Sequence, residues 1–342
     1  MAPEKSATTG TPDGRAAAAG TMRAAVREEY GSADVVRLAR VARPEPRDDE
    51  VLVHVHAAGL DRGVLHMMTG LPYLGRLAFG VPRPKNPVLG MDLAGTVVAV
   101  GPRVTRFGVG DEVYGAGKGS FAEYAVAREK QLARKPANLS FTQAAAVPVS
   151  GSTALQALTD AGRVRPGQTV LVVGAGGGVG SYAVQLAKAL GAAVTGVAST
   201  GKLELVRSLG AEAIDYTRED FTDGSRHWDL ILDIAGNRPI SKLRRALTPA
   251  GTVVLTGGED GDRLTGGMGR QLAAVVLSMF VRQRFTFFLG LARADRLERL
   301  TELIEAGKVT PSLDTTYPLD QVPEALRALE AGQVRGKVAI TL

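Results

Sequence analysis

Cysteine is absent from this sequence of 342 residues. A chain without thiols has no disulfide, no thiolate-bound zinc, no iron–sulfur cluster and no cysteine nucleophile. Aromatic residues make up only 5%, and the basic residues behind the net charge of +6 are scattered rather than interleaved with aromatics. A nucleic-acid partner is therefore not expected, and a small polyanionic ligand is the simpler explanation of the net positive charge.

Long hydrophobic runs are also missing. The longest, residues 272–281, falls well short of the ~18 residues that span a bilayer. Residues 1–20 are small and polar, and their one apolar run, Ala16–Ala19, is too short for the core of a signal peptide. We expect a disordered tail over residues 1–21, no membrane partner, and a soluble, cytoplasmic protein.

The patterning that is present predicts two domains. From Met22 to about Val126, short strand-like segments alternate with Gly, Pro and Asp, which is typical of a mainly β domain. After Ser152, apolar strands alternate with amphipathic helices, as in a parallel sheet covered on both faces. Because β character returns near Thr310, an α/β cofactor domain is predicted between two pieces of the β domain.

The elements of the second domain are predicted from their periodicity. The predicted strands are Gln168–Val173, Ala193–Ala198, Ala213–Tyr216, Asp229–Ile234 and Thr252–Thr256. The predicted helices are Ser181–Leu190, Lys202–Leu209 and Pro239–Leu247, with a further helix at Val322–Glu330 in the C-terminal piece. The aromatic stretch Phe285–Phe288 predicts an edge strand, and a homodimer across that edge is a hypothesis.

A glycine-rich turn, GAGGGVG at residues 174–180, joins the first of these strands to a helix. Small residues let the backbone approach a pyrophosphate, whose charge meets the free N–H groups and positive end of the helix. Because the turn lies between an apolar strand and an amphipathic helix, it predicts a dinucleotide site. The predicted contacts are Gly174, Gly177, Gly178, Val179 and Gly180.

The end of the second predicted strand favours NADP(H) over NAD(H). NAD-binding folds carry an acidic residue there, ~20 residues after the glycines, that binds the ribose 2′-hydroxyl. This chain has Ser199, Thr200, Gly201 and Lys202 instead. Hydroxyls and an ammonium bind the 2′-phosphate that an acid would repel, and Tyr216 at the next strand end would complete the pocket. The alternative is that Lys202 only caps the following helix.

Six further motifs are AAG at 57–59, NPVLGMDLAGTVVAVG at 86–101, GDEVYG at 110–115, FAEYAV at 121–126, AAAVPVSGSTALQAL at 144–158 and RGKV at 335–338. With the glycine-rich turn, they resemble the medium-chain dehydrogenase/reductase superfamily, and in particular its zinc-independent quinone oxidoreductase-like branch. The resemblance covers nearly everything after Met22. It implies a GroES-like β domain over residues 22–147 and 308–342, and a Rossmann domain with a doubly wound parallel sheet over residues 148–307.

Zinc alcohol dehydrogenases of this superfamily place a Cys after the glycine of the first motif and Gly-His-Glu in the second. The matching positions here read Gly59-Leu60-Asp61 and Gly90-Met91-Asp92. Neither a thiolate nor an imidazole is available, so no metal site is predicted. His54 and His56 alternate along one strand and are interpreted as a polar strand face rather than a metal pair.

The resemblance also implies several contacts with the cofactor. They are Ser199, Lys202 and Tyr216 at the 2′-phosphate, Thr153 near the nicotinamide, the turn after Ile234 and the turn at Gly257 and Gly258 along the cofactor, and Lys337 facing the cleft. Quinone reductases of this branch usually carry Asn where this chain has Asp61. That departure leaves the substrate and the proton donor open.

Hydride delivery to an enone or a quinone builds negative charge on the acceptor oxygen, which then needs a hydrogen-bond donor or a proton. Tyr73 and Asp61 are the predicted catalytic residues, and Arg62 and His66 are further candidates from the same segment. The alternatives are the ribose hydroxyl and water.

The sequence thus predicts a zinc-independent, NADPH-dependent oxidoreductase that transfers hydride to a quinone, an α,β-unsaturated carbonyl or another carbonyl compound. One alternative is a metal-free, NADP-dependent carbonyl reductase or alcohol dehydrogenase. The other is a non-catalytic NADPH-binding protein.

Overall fold

The computed structural model describes residues 20–257, 261–288, 290 and 292–342. Most of the predicted tail, residues 1–19, lies outside the described residues. Thr21 instead begins the first strand and pairs with Ala42. The ordered chain therefore starts ahead of the predicted boundary at Met22, because this strand extends the hairpin by one more pair.

The described residues form two sets of regular elements. The strands are β1 Thr21–Val26, β2 Arg37–Ala42, β3 Glu50–Leu60, β4 Asp92–Val100, β5 Glu112–Ala116, β6 Tyr124–Arg128, β7 Leu132–Arg134, β8 Thr169–Val173, β9 Ala193–Ala198, β10 Glu212–Asp215, β11 Trp228–Asp233, β12 Leu247–Leu255, β13 Arg284–Phe287, β14 Leu313–Pro318 and β15 Lys337–Thr341. The α-helices are α1 Arg62–Thr69, α2 Arg76–Phe79, α3 Phe141–Ala145, α4 Pro148–Gln156, α5 Gly178–Ala189, α6 Leu203–Ser208, α7 Ile240–Arg245, α8 Met268–Ser278, α9 Ala294–Glu305 and α10 Val322–Glu330.

The six strands β8 to β13 form one parallel sheet in the order β10-β9-β8-β11-β12-β13. Counted from β8, this is the Rossmann order 3-2-1-4-5-6. Successive strands are added on one side of β8 up to β10 and on its other side from β11 onward, so the strand order reverses between the first and fourth strands. Strand β8 is buried on both faces, with Val170 and Val172 in one apolar core and Leu171 and Val173 in another. The prediction of a doubly wound sheet is confirmed.

The second large sheet has the order β14-β15-β3-β4-β5-β7, and β6 also pairs with β3. Strand β15 runs antiparallel to β3, with Val338 opposite Leu60, so the C-terminal piece joins the sheet of the N-terminal β segments. A core that includes Val53, Leu93 and Ile340 packs against it. The sheet has the GroES-like character that the sequence predicts.

One predicted helix of the second half needs correction. The predicted helix Pro239–Leu247 ends earlier, as α7, because Leu247 already pairs with Trp228 and begins β12. The apolar stretch 272–281 belongs mainly to helix α8, whose side chains include the exposed Leu272 and Val276. Strand β13 lies at the edge of its sheet, as predicted. Within the described residues, no helix is both long and apolar enough to cross a bilayer.

Candidate functional site

A cleft of about 830 Å³ opens at the carboxyl ends of the parallel strands and is closed on its other side by α1 and β15. Most of the residues predicted from the sequence line this one cleft. They are Asp61, Thr153, Gly174, Gly177, Gly178, Val179, Gly180, Ser199, Lys202, Tyr216, Gly257 and Lys337. Thr200 and Tyr73 do not line it, and Gly258 lies outside the described residues.

The glycine-rich turn forms a cradle that side chains would fill. Gly174 has a φ of +89°, and a β-carbon on it would lie 2.6 Å from the β-carbon of Ala235. A β-carbon on Gly176 would lie 2.6 Å from the β-carbon of Lys202. Helix α5 begins at Gly178 with Gly177 as an N-cap that has no side-chain hydrogen bond. The first-turn N–H groups are therefore available to an anion in the cleft.

The side chains that follow β9 point in different directions, and only some of them line the cleft. Ser199, Lys202 and the half-exposed Tyr216 line the cleft. The hydroxyl of Thr200 instead donates a hydrogen bond to Oδ2 of Asp215 at 2.5 Å. Hydrogen bonds from Thr200 and then Thr217 lower the pKa of Asp215. Thr200 therefore holds the carboxylate at the end of β10 and does not line the cleft, and its contact with the cofactor stays a prediction.

The resemblance implies that the turn after Ile234, which is the loop that follows β11, lies along the cofactor, but it singles out none of the side chains of that loop. Arg238 lines the cleft, pairs with Asp220 at 3.0 Å and stacks 4.5 Å from the ring centroid of Phe221. Arg270 fixes this loop, because it donates both to the buried Asp233 at 2.6 Å and to the carbonyl of Arg238 at 2.7 Å. The resemblance locates this loop, but no pattern in the sequence predicts which of its side chains line the cleft.

The candidate proton donors lie in different places. Tyr73 is 42% exposed, belongs to a short 3₁₀ turn, and packs against the guanidinium of Arg76 at 4.8 Å from its ring centroid. It does not line the cleft, so the structure gives no support to its predicted catalytic role. Arg62 and His66 do line the cleft, and Nδ1 of His66 lies 2.8 Å from the carbonyl oxygen of Leu71.

A buried cluster of charged groups forms the floor of the cleft. Lys337 is 1% exposed, and its Nζ donates a hydrogen bond to Oγ of Ser150 at 3.1 Å. The same Nζ lies 4.0 Å from Oδ2 of Asp61 and 3.9 Å from Oδ2 of Asp92. Both oxygens of Asp92 accept from the backbone N–H of Val149, at 3.1 and 3.2 Å. Burial, followed by the neighbouring Asp61, raises the pKa of Asp92 well above its usual range.

The histidines on β3 pack against each other and against neighbouring rings. The ring centroids of His54 and His56 are 4.9 Å apart, and His56 stacks on Phe141 at 4.4 Å. Burial and then His54 lower the pKa of His56, whose Nε2 lies 3.0 Å from the hydroxyl of Thr96. Within the part of the chain that the structure describes, no three His, Cys, Asp or Glu side chains are grouped as a metal site would need.

Two family models match the chain. One, described as an alcohol dehydrogenase GroES-like domain, matches residues 47–137, and one described as a zinc-binding dehydrogenase matches residues 209–340. The chain is 39% identical to a 2-methylene-furan-3-one reductase of Solanum lycopersicum, over 91% of this chain and 77% of the relative. It is 37% identical to a chloroplastic NADPH-dependent alkenal/one oxidoreductase of Arabidopsis thaliana, over 93% of this chain and 79% of the relative.

The solved quinone oxidoreductase of Coxiella burnetii is similar in structure, with a TM-score of 0.83 and 28% identity. The similarity covers 94% of this chain and all of that one. Sequence and fold agree, and the chain belongs to the quinone oxidoreductase-like branch of the medium-chain dehydrogenase/reductase superfamily.

Proposed function

We propose that this protein is a zinc-independent oxidoreductase that uses NADPH to reduce α,β-unsaturated carbonyl compounds and quinones. The observation that carries the proposal is one cleft that joins a glycine cradle, the group Ser199, Lys202 and Tyr216, and a buried acid–lysine cluster. The named activities of the tomato, Arabidopsis and Coxiella relatives, on a methylene-furanone, on alkenals and enones, and on quinones, support this substrate class.

The residues of the cleft fit an NADP(H) molecule from end to end. The N-terminus of α5 and its glycines suit the pyrophosphate, because they combine unoccupied N–H groups with space for close approach. Ser199, Lys202 and Tyr216 supply hydroxyl and ammonium groups for the 2′-phosphate. Thr153 lines the same cleft, as does Asp61. NADPH bound here would supply a hydride, and the chain would supply position, exclusion of water and a proton.

The donor set argues against a catalytic zinc ion in this cleft. The two family positions that hold zinc ligands in alcohol dehydrogenases carry Asp61 and Met91, beside Asp92. The ammonium of Lys337 lies about equally far from both carboxylates, at 4.0 and 3.9 Å. A divalent cation between the same carboxylates would be repelled by this neighbouring positive charge. Although one matching family model is described as zinc-binding, these residues do not suit that metal.

Pairing with a second copy along the edge strand β13 is the oligomeric state that we propose. Strand β13 lies at the sheet edge and helix α8 beside it carries the exposed Leu272 and Val276. Open strand edges and adjoining apolar faces favour association. Light scattering behind size-exclusion chromatography should give twice the chain mass, and a monomer across the micromolar range would remove the proposal.

Turnover by protein dialysed against a chelator tests the proposed activity. NADPH consumption should be followed by absorbance with 9,10-phenanthrenequinone and with a simple alkenal, and repeated with NADH. We expect both acceptors to be reduced with NADPH, with no gain on addition of zinc and a lower kcat/KM with NADH. A requirement for added zinc or a preference for NADH would overturn the proposal, and NADPH binding without turnover would favour a non-catalytic binding protein.

A further inference from the structure

The cluster of Asp61, Asp92 and Lys337 contains more acid than base. Asp92 is 0% exposed and Lys337 is 1% exposed, so neither group is solvated by bulk water. Two carboxylates beside one ammonium would leave an uncompensated negative charge in a nearly dry site, which is costly. One proton held by the acid pair makes the cluster neutral.

The hydrogen bonds of the pair indicate where that proton lies. Oδ2 of Asp61 is buried and has no hydrogen-bond partner among the described residues. Oδ2 of Asp61 and Oδ2 of Asp92 lie beside the same ammonium group, at 4.0 and 3.9 Å from Nζ of Lys337, and both oxygens of Asp92 also accept from the N–H of Val149. A protonated Asp92 would donate a hydrogen bond to the otherwise unsatisfied Oδ2 of Asp61. This hydrogen bond removes the free-energy cost of burying an acceptor that has no donor.

We propose that Asp61 and Asp92 share one proton, and that Asp61 delivers this proton to the enolate that hydride addition creates. Asp61 is the member of the pair that lines the cleft, with 10% of its side chain exposed. Because its Oδ2 is buried, the carboxyl group must turn about the Cβ–Cγ bond to present the proton to the cleft. Asp92 does not reach the cleft, so it is a positioning residue that stores the proton and hands it to Asp61. The inference rests on the proposed function, because only a reductase of enones forms such an enolate.

The step balances in atoms and charge. Hydride addition to the β-carbon of an enone forms a C–H bond, breaks the C=C π bond and leaves an enolate. An electron pair of the enolate then takes the proton, while the electron pair of the broken O–H bond stays on Asp61. The doubly charged pair beside Lys337 regains a proton from water after the product leaves. The only oxidation is that of the nicotinamide that supplies the hydride.

The other groups around the pair are consistent with this assignment. Ser150 on α4 engages Lys337, and Tyr182 on α5 is the remaining titratable group near Asp92. Burial, then the charge of Asp92, raises the pKa of Tyr182 well above its ordinary value, so Tyr182 stays neutral and does not compete for the proton. Among the described residues, Lys337 is the cation whose ammonium lies within 4 Å of both acids, and Arg62 and His66 line the cleft on the side of Asp61.

A comparison of two acceptors tests the inference. An enolate is a strong base that needs a proton inside the cleft, whereas a hydroquinone anion is a weak base that can leave without one. For Asp61→Asn, whose new residue is the one that the branch usually carries, we expect kcat with an alkenal to fall about 100-fold or more. The fall with 9,10-phenanthrenequinone should be at least about tenfold smaller, and the KM for NADPH should change little because the acid pair does not contact the 2′-phosphate group. Exposed Asp320→Asn is the matched control and should behave as wild type with both acceptors.

Infrared spectra of the full chain without substrate give a second readout that does not depend on turnover. The carbonyl band of a protonated carboxyl should persist at neutral pH in the wild type and disappear in Asp92→Asn. Equal losses with both acceptors in Asp61→Asn, or no loss, or a wild type without that band, would overturn the inference. A wild type that reduces neither acceptor would overturn the proposed function, and this inference with it.

Discussion

A β-carbon on Gly178 would lie 2.9 Å from Cδ of Lys337. The first residue of helix α5 and the buried lysine of β15 therefore share one space, and the absence of a side chain at Gly178 lets the lysine stem reach Ser150 and the two acids. Through this contact, the cradle for the cofactor and the floor of the cleft form one packed unit.

Gly178→Ala should therefore disturb both parts of the cleft. The added methyl group must displace Lys337 or the backbone, so we expect NADPH affinity and kcat to fall about tenfold each. Fluorescence titration and steady-state kinetics would measure these effects. Gly269→Ala, on an exposed turn of α8 where a β-carbon meets nothing within 4 Å, is the control and should leave both values unchanged. Wild-type behaviour of Gly178→Ala would contradict the packing described here.

Lys202→Ala should separate the two nicotinamide cofactors. Loss of a charge-assisted hydrogen bond to the 2′-phosphate costs about 1.5–3 kcal/mol, which corresponds to roughly a tenfold to hundredfold weaker binding of NADPH. Binding of NADH should hardly change, since it has no 2′-phosphate. Calorimetric titration measures both, with the exposed Lys308→Ala as control. Equal weakening for NADPH and NADH would mean that Lys202 only shapes the start of α6.

Tyr73→Phe should retain turnover. The ring of Tyr73 is 42% exposed and outside the cleft, so removal of its hydroxyl takes no proton donor away. We expect kcat with an alkenal to stay within about twofold of the wild-type value. Removal of a general acid would instead lower kcat about 100-fold or more. A large loss confined to kcat would return Tyr73 to the list of catalytic residues.

Arg270→Ala should destabilise the protein by about 3 kcal/mol, because it leaves the charge of buried Asp233 without its partner. Addition of Asp233→Asn should recover part of this loss. Urea unfolding measures both variants. Arg299→Ala breaks an exposed ion pair on α9 and should cost less than about 1 kcal/mol. Equal effects of the two arginine variants would contradict the burial of the Asp233 pair.

The stability of the protein should depend on the titration of Asp92. Folding raises the pKa of Asp92 above the value of ~4 that a carboxyl has in an unfolded chain. The folded state then holds the proton more tightly, so its stabilising contribution is complete below pH ~4 and is lost as pH rises through the folded-state pKa. The free energy of unfolding of the wild type should therefore fall, relative to Asp92→Asn, as the pH rises above ~4. A difference that stays constant above this pH would contradict a raised pKa.

The sequence predicted best what is local. Strand β9 and helix α10 have the predicted bounds, because strong periodicity and clear end signals define them. The glycine cradle was equally accessible, since its residues are contiguous. The direction in which neighbouring side chains point could not be predicted from the sequence. Thr200 points toward Asp215, whereas Ser199, its neighbour in the chain, lines the cleft.

Contacts between distant segments could not be predicted in this way. The acid–lysine cluster is an example. Asp61 follows the end of β3, whereas Asp92 and Lys337 begin β4 and β15, and only the pairing of these strands brings the three residues together. Arg238 lies on a loop whose course is set by its hydrogen bond with Arg270 rather than by any periodic pattern. Strand β2 is mostly exposed, so it lacks the apolar alternation that would have marked it.

The position of the transferred hydrogen in the product distinguishes reduction of the C=C double bond from reduction of the carbonyl group. An enone should be reduced with NADPH that carries deuterium at the transferable position of nicotinamide C4, using protein treated with a chelator, and the product examined by NMR. A reductase of activated double bonds places the deuterium on the β-carbon of a saturated carbonyl compound. Deuterium on the former carbonyl carbon of an allylic alcohol, or a reaction that needs added zinc, would contradict the account.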